Sequence, residues 1–220
     1  MTAEILAVAR DHLAREGASA LSLRSIARDL GMAPSALYRY FDGRDALLSA
    51  LILAAYESLA QCAEAAAEQA AGSGVSDVER FAQVPRALRR WALERPHEWG
   101  LIFGTPVPGY EAPEDTVVPY ARTAAATVRP VVEAEQAGRL HLADHPPPVS
   151  TELAQAVAPV TEGLFPGLPA ENVVLVVQAW TTMIGAISLE VFGHWRGTIL
   201  DPGLYFERTM ADVAASLGLG

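Results

Sequence analysis

The stretch that most constrains this chain runs from Ser22 to Arg44, where a glycine separates two apolar segments. Apolar residues recur in the first segment at the i, i+3, i+4 and i+7 spacing of one helical face: Leu23, Ile26, Ala27 and Leu30. Ser22 precedes this run, where its hydroxyl can cap a helix, and Gly31 follows it, where glycine commonly ends one. Pro34 suits the first turn of a second helix, predicted over residues 34–41. The pattern therefore predicts a helix-turn-helix.

The second predicted helix has two different faces. At about 100° per residue, Leu37 and Phe41 fall on one inward stripe, whereas Ser35 and Arg39 point away from it. The face turned to solvent carries hydroxyl groups and a guanidinium, with no acid–base pair and no set of metal ligands. Such a face suits a DNA groove, because arginine can bind guanine bidentately and hydroxyl groups can bind phosphates.

A longer pattern surrounds this stretch. A first helix ends in EGASALSL, and the sequence IARDLGMAPSALYRYFDGRDALLSAL follows, with an LY-xx-F core and a basic residue three places later. On this pattern, residues 5–51 resemble the N-terminal domain of the TetR (tetracycline repressor) family of bacterial transcription regulators. The basic residue is Arg44, where the family usually has lysine, and arginine also binds phosphate. Ala33 replaces a capping serine or threonine that is frequent in the family. The alternative interpretation is a generic helical hairpin.

The resemblance implies double-stranded operator DNA as a partner and nine candidate contacts to it. Ser35 and Arg39 are expected to face base edges, and Ala33 and Pro34 can offer apolar contact to a thymine methyl group. Phosphate contacts are expected from side chains that carry hydrogen-bond donors: Ser22, Arg24, Tyr38, Tyr40 and Arg44.

Charge is distributed unevenly along the chain. Residues 1–50 hold six arginines and six acids, whereas residues 51–220 hold ten arginines and 20 acids, a net charge of −10. Because the acidic part repels a polyanion, DNA contact is expected only at the N-terminal end. The pI of 4.9 argues against nucleic-acid binding on composition alone, and the motif outweighs it.

The rest of the chain is predicted to be helical. Apolar periodicity predicts helices over residues 3–16, 45–70, 77–95, 96–103, 116–137, 148–163, 172–189 and 203–217. The sequence therefore predicts an all-α protein of about nine helices. A three-helix helix-turn-helix DNA-binding domain is expected at residues 1–46, and a helical effector-binding and dimerisation domain at residues 47–220.

The most apolar segment, residues 172–189, carries no charge. A membrane span needs about 20 apolar residues, and this segment is at the lower limit and contains several polar residues. We favour a helix buried against its own core and against a partner, with no membrane contact. The TetR resemblance implies that the last two helices form a homodimer interface. Its candidate residues are Ile184, Ile187, Val191, Phe206, Met210 and Val213.

The resemblance also implies a small-molecule effector bound within the larger domain. Large side chains of the middle helices are candidates for its pocket: Trp91, Trp99, Phe103, Tyr120, Trp180 and Met183. The alternative is that these side chains fill the core. Because acids dominate this domain, a neutral or cationic hydrophobic molecule is favoured over an anion.

No cofactor is expected, and the evidence for a metal is weak. His141 and His145 have the four-residue spacing of helical ligands, but three prolines follow and Gly138 precedes, so solvated loop histidines are the favoured interpretation. The single cysteine fits a reducing compartment, and the N-terminus lacks a signal peptide pattern.

The sequence thus predicts a cytoplasmic, homodimeric, ligand-responsive regulator, with repression as the default of the family. An all-α enzyme is an alternative without a catalytic set of residues. A helical adaptor that uses the hairpin to bind another protein is the second alternative.

Overall fold

The computed structural model describes residues 1–110, 114–140 and 148–220, and within these ranges the chain is helical without a strand. The α-helices are α1 (Thr2–Glu16), α2 (Leu23–Asp29), α3 (Pro34–Leu37), α4 (Arg44–Ala71), α5 (Asp77–Glu94), α6 (Pro96–Phe103), α7 (Val117–Gln136), α8 (Thr151–Leu164), α9 (Ala170–Val191) and α10 (Pro202–Ser216). The predicted all-α class is confirmed, with ten helices in the described residues against about nine predicted. His141 and His145 lie outside the described residues.

The chain divides into two compact units. The first unit comprises Met1–Leu59 and Glu94–Tyr120, and the second comprises Ala60–Leu93 and Ala121–Gly220. The first unit therefore extends beyond the DNA-binding domain predicted at residues 1–46, because it includes further turns of α4, all of α6 and the first turn of α7.

One apolar core holds the first unit together. Ile5 and Ala9 of α1, Ile26 of α2 and Leu47 of α4 are buried in it. Fully burying a leucine or isoleucine stabilises a fold by about 1.5–3 kcal/mol, so this cluster supplies much of the stability of the unit. Partly buried residues of α6 pack against the same core.

A buried histidine joins α1 to α2. His12 is 3% exposed, and its Nε2 lies 2.8 Å from Oδ2 of Asp29 at the end of α2. Because an ionised carboxylate can only accept, Nε2 carries the proton of this hydrogen bond. The other ring nitrogen, Nδ1, is buried and has no hydrogen-bond partner among the described residues. This bond fixes the first helix of the helix-turn-helix to α1.

Ion pairs connect the helices of the second unit. Arg86 of α5 donates to both carboxylate oxygens of Glu207 on α10, at 2.9 and 2.8 Å. Arg89, one turn later, donates through Nε to Glu190 of α9 at 2.6 Å. Apolar side chains of α5 are buried beside these pairs, among them Leu88. The acids of this unit therefore serve in part as structural partners of its own arginines.

Within the described ranges, two helices are long and apolar enough to cross a membrane, by length and composition alone. They are α4 and α9, with 44% and 33% of the most apolar window buried in the chain. Core helices of soluble proteins pass the same criteria, so this finding is weak evidence for a membrane span.

Candidate nucleic-acid interface

The second helix of the helix-turn-helix is anchored as its periodicity predicts. Leu37 and Phe41 are buried, at 0% and 7% exposed. The helix is shorter than the predicted range of residues 34–41, because α3 ends at Leu37. The chain then continues in tighter turns, in which the amide of Arg39 donates to Ala36 and that of Tyr40 to Leu37. Such i to i+3 hydrogen bonds commonly tighten the end of a helix.

The side chains predicted to contact DNA form a largely exposed surface around α3. Tyr38 and Tyr40 are 48% and 45% exposed. The remaining exposed candidates are Arg24, Ala33, Pro34, Ser35 and Arg39. In the described residues, Arg24 and Arg39 form no hydrogen bond or ion pair with the protein. Both guanidiniums are therefore available to an external acceptor.

Ser22 does not cap α2, in contrast to the expectation from its position. It occupies the N-cap position with an extended backbone, but its hydroxyl accepts no hydrogen bond from the helix. The contact runs through its carbonyl, which accepts from the hydroxyl of Ser25 at 3.1 Å and from the amide of Ile26. The half-buried hydroxyl of Ser22 is thus not used by the helix.

Arg44, expected to bind phosphate, is partly engaged inside the protein. Its Nη2 donates to the carbonyl of Ala18 at 3.0 Å, and its Nη1 lies 3.6 Å from Oδ1 of Asp45. The first contact links the 3-10 turn Ala18–Ala20 to the start of α4. Because a guanidinium has five donors, some remain for a phosphate.

The periodicity of the sequence did not single out His12 as a supporting residue. His12 lies one turn from Ala9 on the buried side of α1, and this spacing was the only sequence pattern that could have indicated its burial. Its hydrogen bond lowers the pKa of Asp29, opposed by partial desolvation of that carboxyl group. A partner 17 residues away cannot be inferred from helical spacing.

The six candidate ligand-binding residues are divided between the two units. Trp99, Phe103 and Tyr120 belong to the first unit, whereas Trp91, Trp180 and Met183 belong to the second. In the first unit, the rings of Trp99 and Phe103 are 4.4 Å apart, and Tyr56 stacks edge-on against both Phe103 and Tyr120 at 6.2 Å. Trp99, Trp91 and Met183 are buried, which fits the core-filling alternative.

A cavity of about 500 Å³ lies in the second unit, and none of these six residues lines it. Its walls come from the C-terminal half of α4, from α7, and from Leu164 and Phe165 at the end of α8. Charged side chains of α4 and α7 line it together with apolar ones, including Glu64, Glu68 and Arg122.

The candidate dimer residues differ in exposure. Four are buried within their own chain: Ile187, Phe206, Met210 and Val213. A side chain that its own chain covers has little surface left for a partner, so these four are core residues of the second unit. Ile184 and Val191 are partly exposed. By contrast, α8 has no buried residue at all.

A helix-turn-helix that presents hydroxyl groups to solvent, with two arginines that have no partner among the described residues, is typical of a DNA-binding protein. Comparison with protein families agrees with this class. Residues 5–51 match the model described as bacterial regulatory proteins, tetR family, and residues 81–213 match the tetracyclin repressor-like C-terminal domain. The chain belongs to the TetR family of transcription regulators, and it is a regulator rather than an enzyme.

Individual relatives support the same family. The HTH-type transcriptional regulator Rv1816 of Mycobacterium tuberculosis (strain ATCC 25618 / H37Rv) is 38% identical over 209 residues, which cover 93% of this chain and 87% of the relative. The crystal structure of the regulatory protein SCO4313 matches with a TM-score of 0.77 and 36% identity, covering 97% of this chain and 95% of that chain. A TetR family regulator from Marinobacter aquaeolei VT8, 19% identical with a TM-score of 0.62, shares the fold over 98% of this chain and 94% of that chain.

Proposed function

We propose that this chain is a cytoplasmic repressor that binds a palindromic operator as a homodimer. A small hydrophobic effector, neutral or cationic, releases it from the DNA. The observation that carries the DNA-binding part is the exposed surface around α3, where Arg39 has no partner within the described residues. Family membership supports DNA binding, dimerisation and effector binding as general properties.

Base recognition is assigned to Ser35 and Arg39, and phosphate contact to Arg24, Tyr38 and Tyr40. Arg39 is exposed in the turn after α3 whereas Leu37 and Phe41 are buried, so it can enter the major groove while the core stays intact. Ser22 and Arg44 are proposed as additional phosphate contacts at the edge of the surface. Ala33 and Pro34, exposed at the start of α3, can contact a thymine methyl group.

Dimerisation is assigned to α8 and α9. All 14 residues of α8 are at least partly exposed, although the helix is apolar on one side. Leu153 on α8 and Leu189 on α9 are exposed leucines, and Val157, Ile184 and Val191 are partly exposed. An amphipathic helix whose apolar side is uncovered is stabilised by a partner surface, and a two-fold axis lets the same pair of helices meet its copy.

Effector binding is assigned to the second unit, which contains the cavity of about 500 Å³. This volume lies within the range of about 300–1,000 Å³ for small-molecule sites. Release requires that the effector bind the DNA-incompetent conformation better. A tenfold loss of operator affinity needs a coupling free energy of about 1.4 kcal/mol.

Selection of bound sequences from a random pool of duplex DNA tests the proposal. We expect a palindrome whose half-sites are one helical turn apart, about 34–36 Å, because a two-fold dimer presents its recognition helices at that spacing. Affinity for the selected site should fall steeply with added salt as phosphate contacts are lost. Recovery of unenriched sequences, or of a single half-site with a monomeric protein, would contradict the proposal.

A further inference from the structure

The cavity of the second unit combines an apolar floor with a charged rim. We use floor for its buried lining residues Ala67, Ala126, Val128 and Phe165, and rim for its charged ones. Val128 and Phe165 are 3% and 7% exposed, so the floor belongs to the core. Ligand sites typically have such an apolar wall with a few polar groups that orient the ligand.

Both arginines of the rim are already bound to carboxylates. Arg122 donates through Nε and Nη2 to the two carboxylate oxygens of Glu64, at 2.8 and 2.7 Å. Arg129 donates through Nε to Oε1 of Glu133 at 2.7 Å. The charge of each arginine is therefore already balanced by a carboxylate, and the bidentate Arg122–Glu64 pair is a strong charge-assisted hydrogen bond. The rim therefore disfavours an anionic ligand.

The pairing at Glu133 extends away from the cavity. Arg80, which does not line the cavity, also donates to Glu133 and is itself bound to Asp77. The hydrogen bond from Arg129 has the largest influence on the pKa of Glu133 and lowers it. Partial burial opposes this effect, and the hydrogen bond from Arg80 lowers the pKa further. This carboxylate thus remains ionised and engaged, so it is not the group that a ligand would meet first.

Glu68 is the charged group of the rim that is not paired within the described part of the chain. Its carboxylate is exposed, and among the described residues it forms no hydrogen bond or ion pair. The rim holds three glutamates and two arginines, so its net charge is −1. Since the two arginines are bound to the other two glutamates, this charge resides on Glu68.

We propose that the cavity binds a hydrophobic molecule with a single positive charge, such as a lipophilic amine or a quaternary ammonium compound. The apolar part lies against the floor, and the cationic group lies beside Glu68. This inference rests on the proposed ligand-responsive function and narrows its ligand from neutral or cationic to cationic. A neutral ligand of the same shape would partly desolvate Glu68 without compensating its charge, which is unfavourable.

Three fluorescent probes with the same diphenylhexatriene body test the charge preference in the full-length protein. They are the trimethylammonium derivative, the neutral parent and the propionate, and their emission rises in an apolar site. We expect the cation to bind most tightly and the anion least tightly. Glu68→Gln should lower the affinity for the cationic probe by about fivefold, which is the upper value for an exposed ion pair. The affinity for the neutral parent should stay nearly unchanged.

Two control variants locate the effect. Asp212→Asn makes the same change in net charge at an exposed position of α10 outside the cavity, so the three affinities should not change. Ala125 lines the cavity from an exposed position. Ala125→Phe should fill the space and so weaken the binding of all three probes, while the thermal unfolding midpoint is retained.

Equal binding of anion and cation by the wild type would overturn the inference. So would a cation preference that survives Glu68→Gln, or unchanged binding to a folded Ala125→Phe variant.

Operator release, measured with the selected DNA, separates this inference from the proposed function. If the cationic probe binds through Glu68 but leaves the operator bound, the site is supported and the ligand-responsive function fails. If a different hydrophobic molecule releases the operator and is unaffected by Glu68→Gln and Ala125→Phe, the function stands and the assignment of this cavity is overturned.

Discussion

Arginines around α3 in the first unit differ from arginines between the helices of the second unit in what they bind. In the second unit, Arg86, Arg89 and Arg122 each bind a glutamate of another helix at 2.9 Å or less. In the first unit, Arg24 and Arg39 are exposed and bind nothing among the described residues. These three arginines of the second unit therefore join helices, whereas the two arginines around α3 remain available to an external acceptor.

This difference explains how an acidic chain can belong to a family of DNA-binding regulators. Residues 51–220 carry the whole net charge of −10, and part of their acid is neutralised by arginines within the fold. Because the surplus repels DNA, contact is expected only at the N-terminal surface. What decides the interaction is thus whether arginines without an internal partner lie on the helix-turn-helix surface, which the overall pI does not report.

The largest expected effect concerns the anchor beneath the exposed arginine. Leu37→Ala should lower the free energy of unfolding of the first unit by about 2–5 kcal/mol, because it leaves a cavity at a fully buried site. Operator affinity should fall for every sequence, since α3 loses its support. Chemical denaturation and DNA titration measure both quantities. Leu204→Ala, at an exposed leucine of α10, is the matched control and should change the stability by no more than about 0.5 kcal/mol. Full operator affinity of Leu37→Ala would show that the anchor is dispensable.

The comparison of arginines is tested most directly by Arg39→Ala. Loss of a base contact should cost about 1–3 kcal/mol of binding free energy and relax specificity at one position of each half-site. Stability should stay unchanged, because Arg39 has no partner among the described residues. Repeating the sequence selection with the variant measures the relaxed position. Arg208→Ala removes an arginine that is exposed but paired with Asp212, and it should leave the selected sequence unaltered. An identical selected sequence for Arg39→Ala would mean that this residue does not read a base.

Local patterns of the sequence were sufficient for the fold class and for the anchors of α3. Leu37 and Phe41 are four residues apart, so helical spacing alone places them on one side. The same reasoning overestimated the length of α3, because it cannot detect the tighter turns at Arg39 and Tyr40. It likewise expected a cap from Ser22, whose hydroxyl the helix does not use.

Features that join distant segments were not predictable in this way. The cavity brings together Glu64, Arg122 and Phe165, which are more than 40 residues apart in sequence. Periodicity shows that a helix has an apolar side, but it does not distinguish whether the chain itself or a partner covers that side. For this reason the sequence proposed Phe206 and Met210 as interface residues, although their own chain buries them.

A smaller effect is expected from a paired arginine of the second unit. Arg89→Met removes the partner of Glu190, whose side chain is 11% exposed, and also the cation above the ring of Phe206. Leaving a mostly buried carboxylate uncompensated should cost about 1–2 kcal/mol of stability, less than for a fully buried pair because Arg89 is partly exposed. The preferred DNA sequence should remain the same. The double variant Arg89→Met/Glu190→Gln should recover part of the loss, and a simple sum of the two single effects would show that the pair is not coupled.

The smallest effect concerns the hydrogen bond between His12 and Asp29, which the first unit uses for its own structure. His12 donates to Asp29 and lowers the pKa of that carboxyl group, so the folded protein favours the ionised form. A lowered folded-state pKa contributes stability above the unfolded value, about 3.9 for aspartate, and this stability is lost as the pH falls through the folded-state pKa. The difference in unfolding free energy between the wild type and Asp29→Asn should therefore be present at neutral pH and shrink below about pH 4. Denaturation at a series of pH values measures this difference, with Asp11→Asn on the exposed side of α1 as the control. A difference that stays constant down to low pH would show that the carboxylate of Asp29 does not stabilise the junction of α1 and α2.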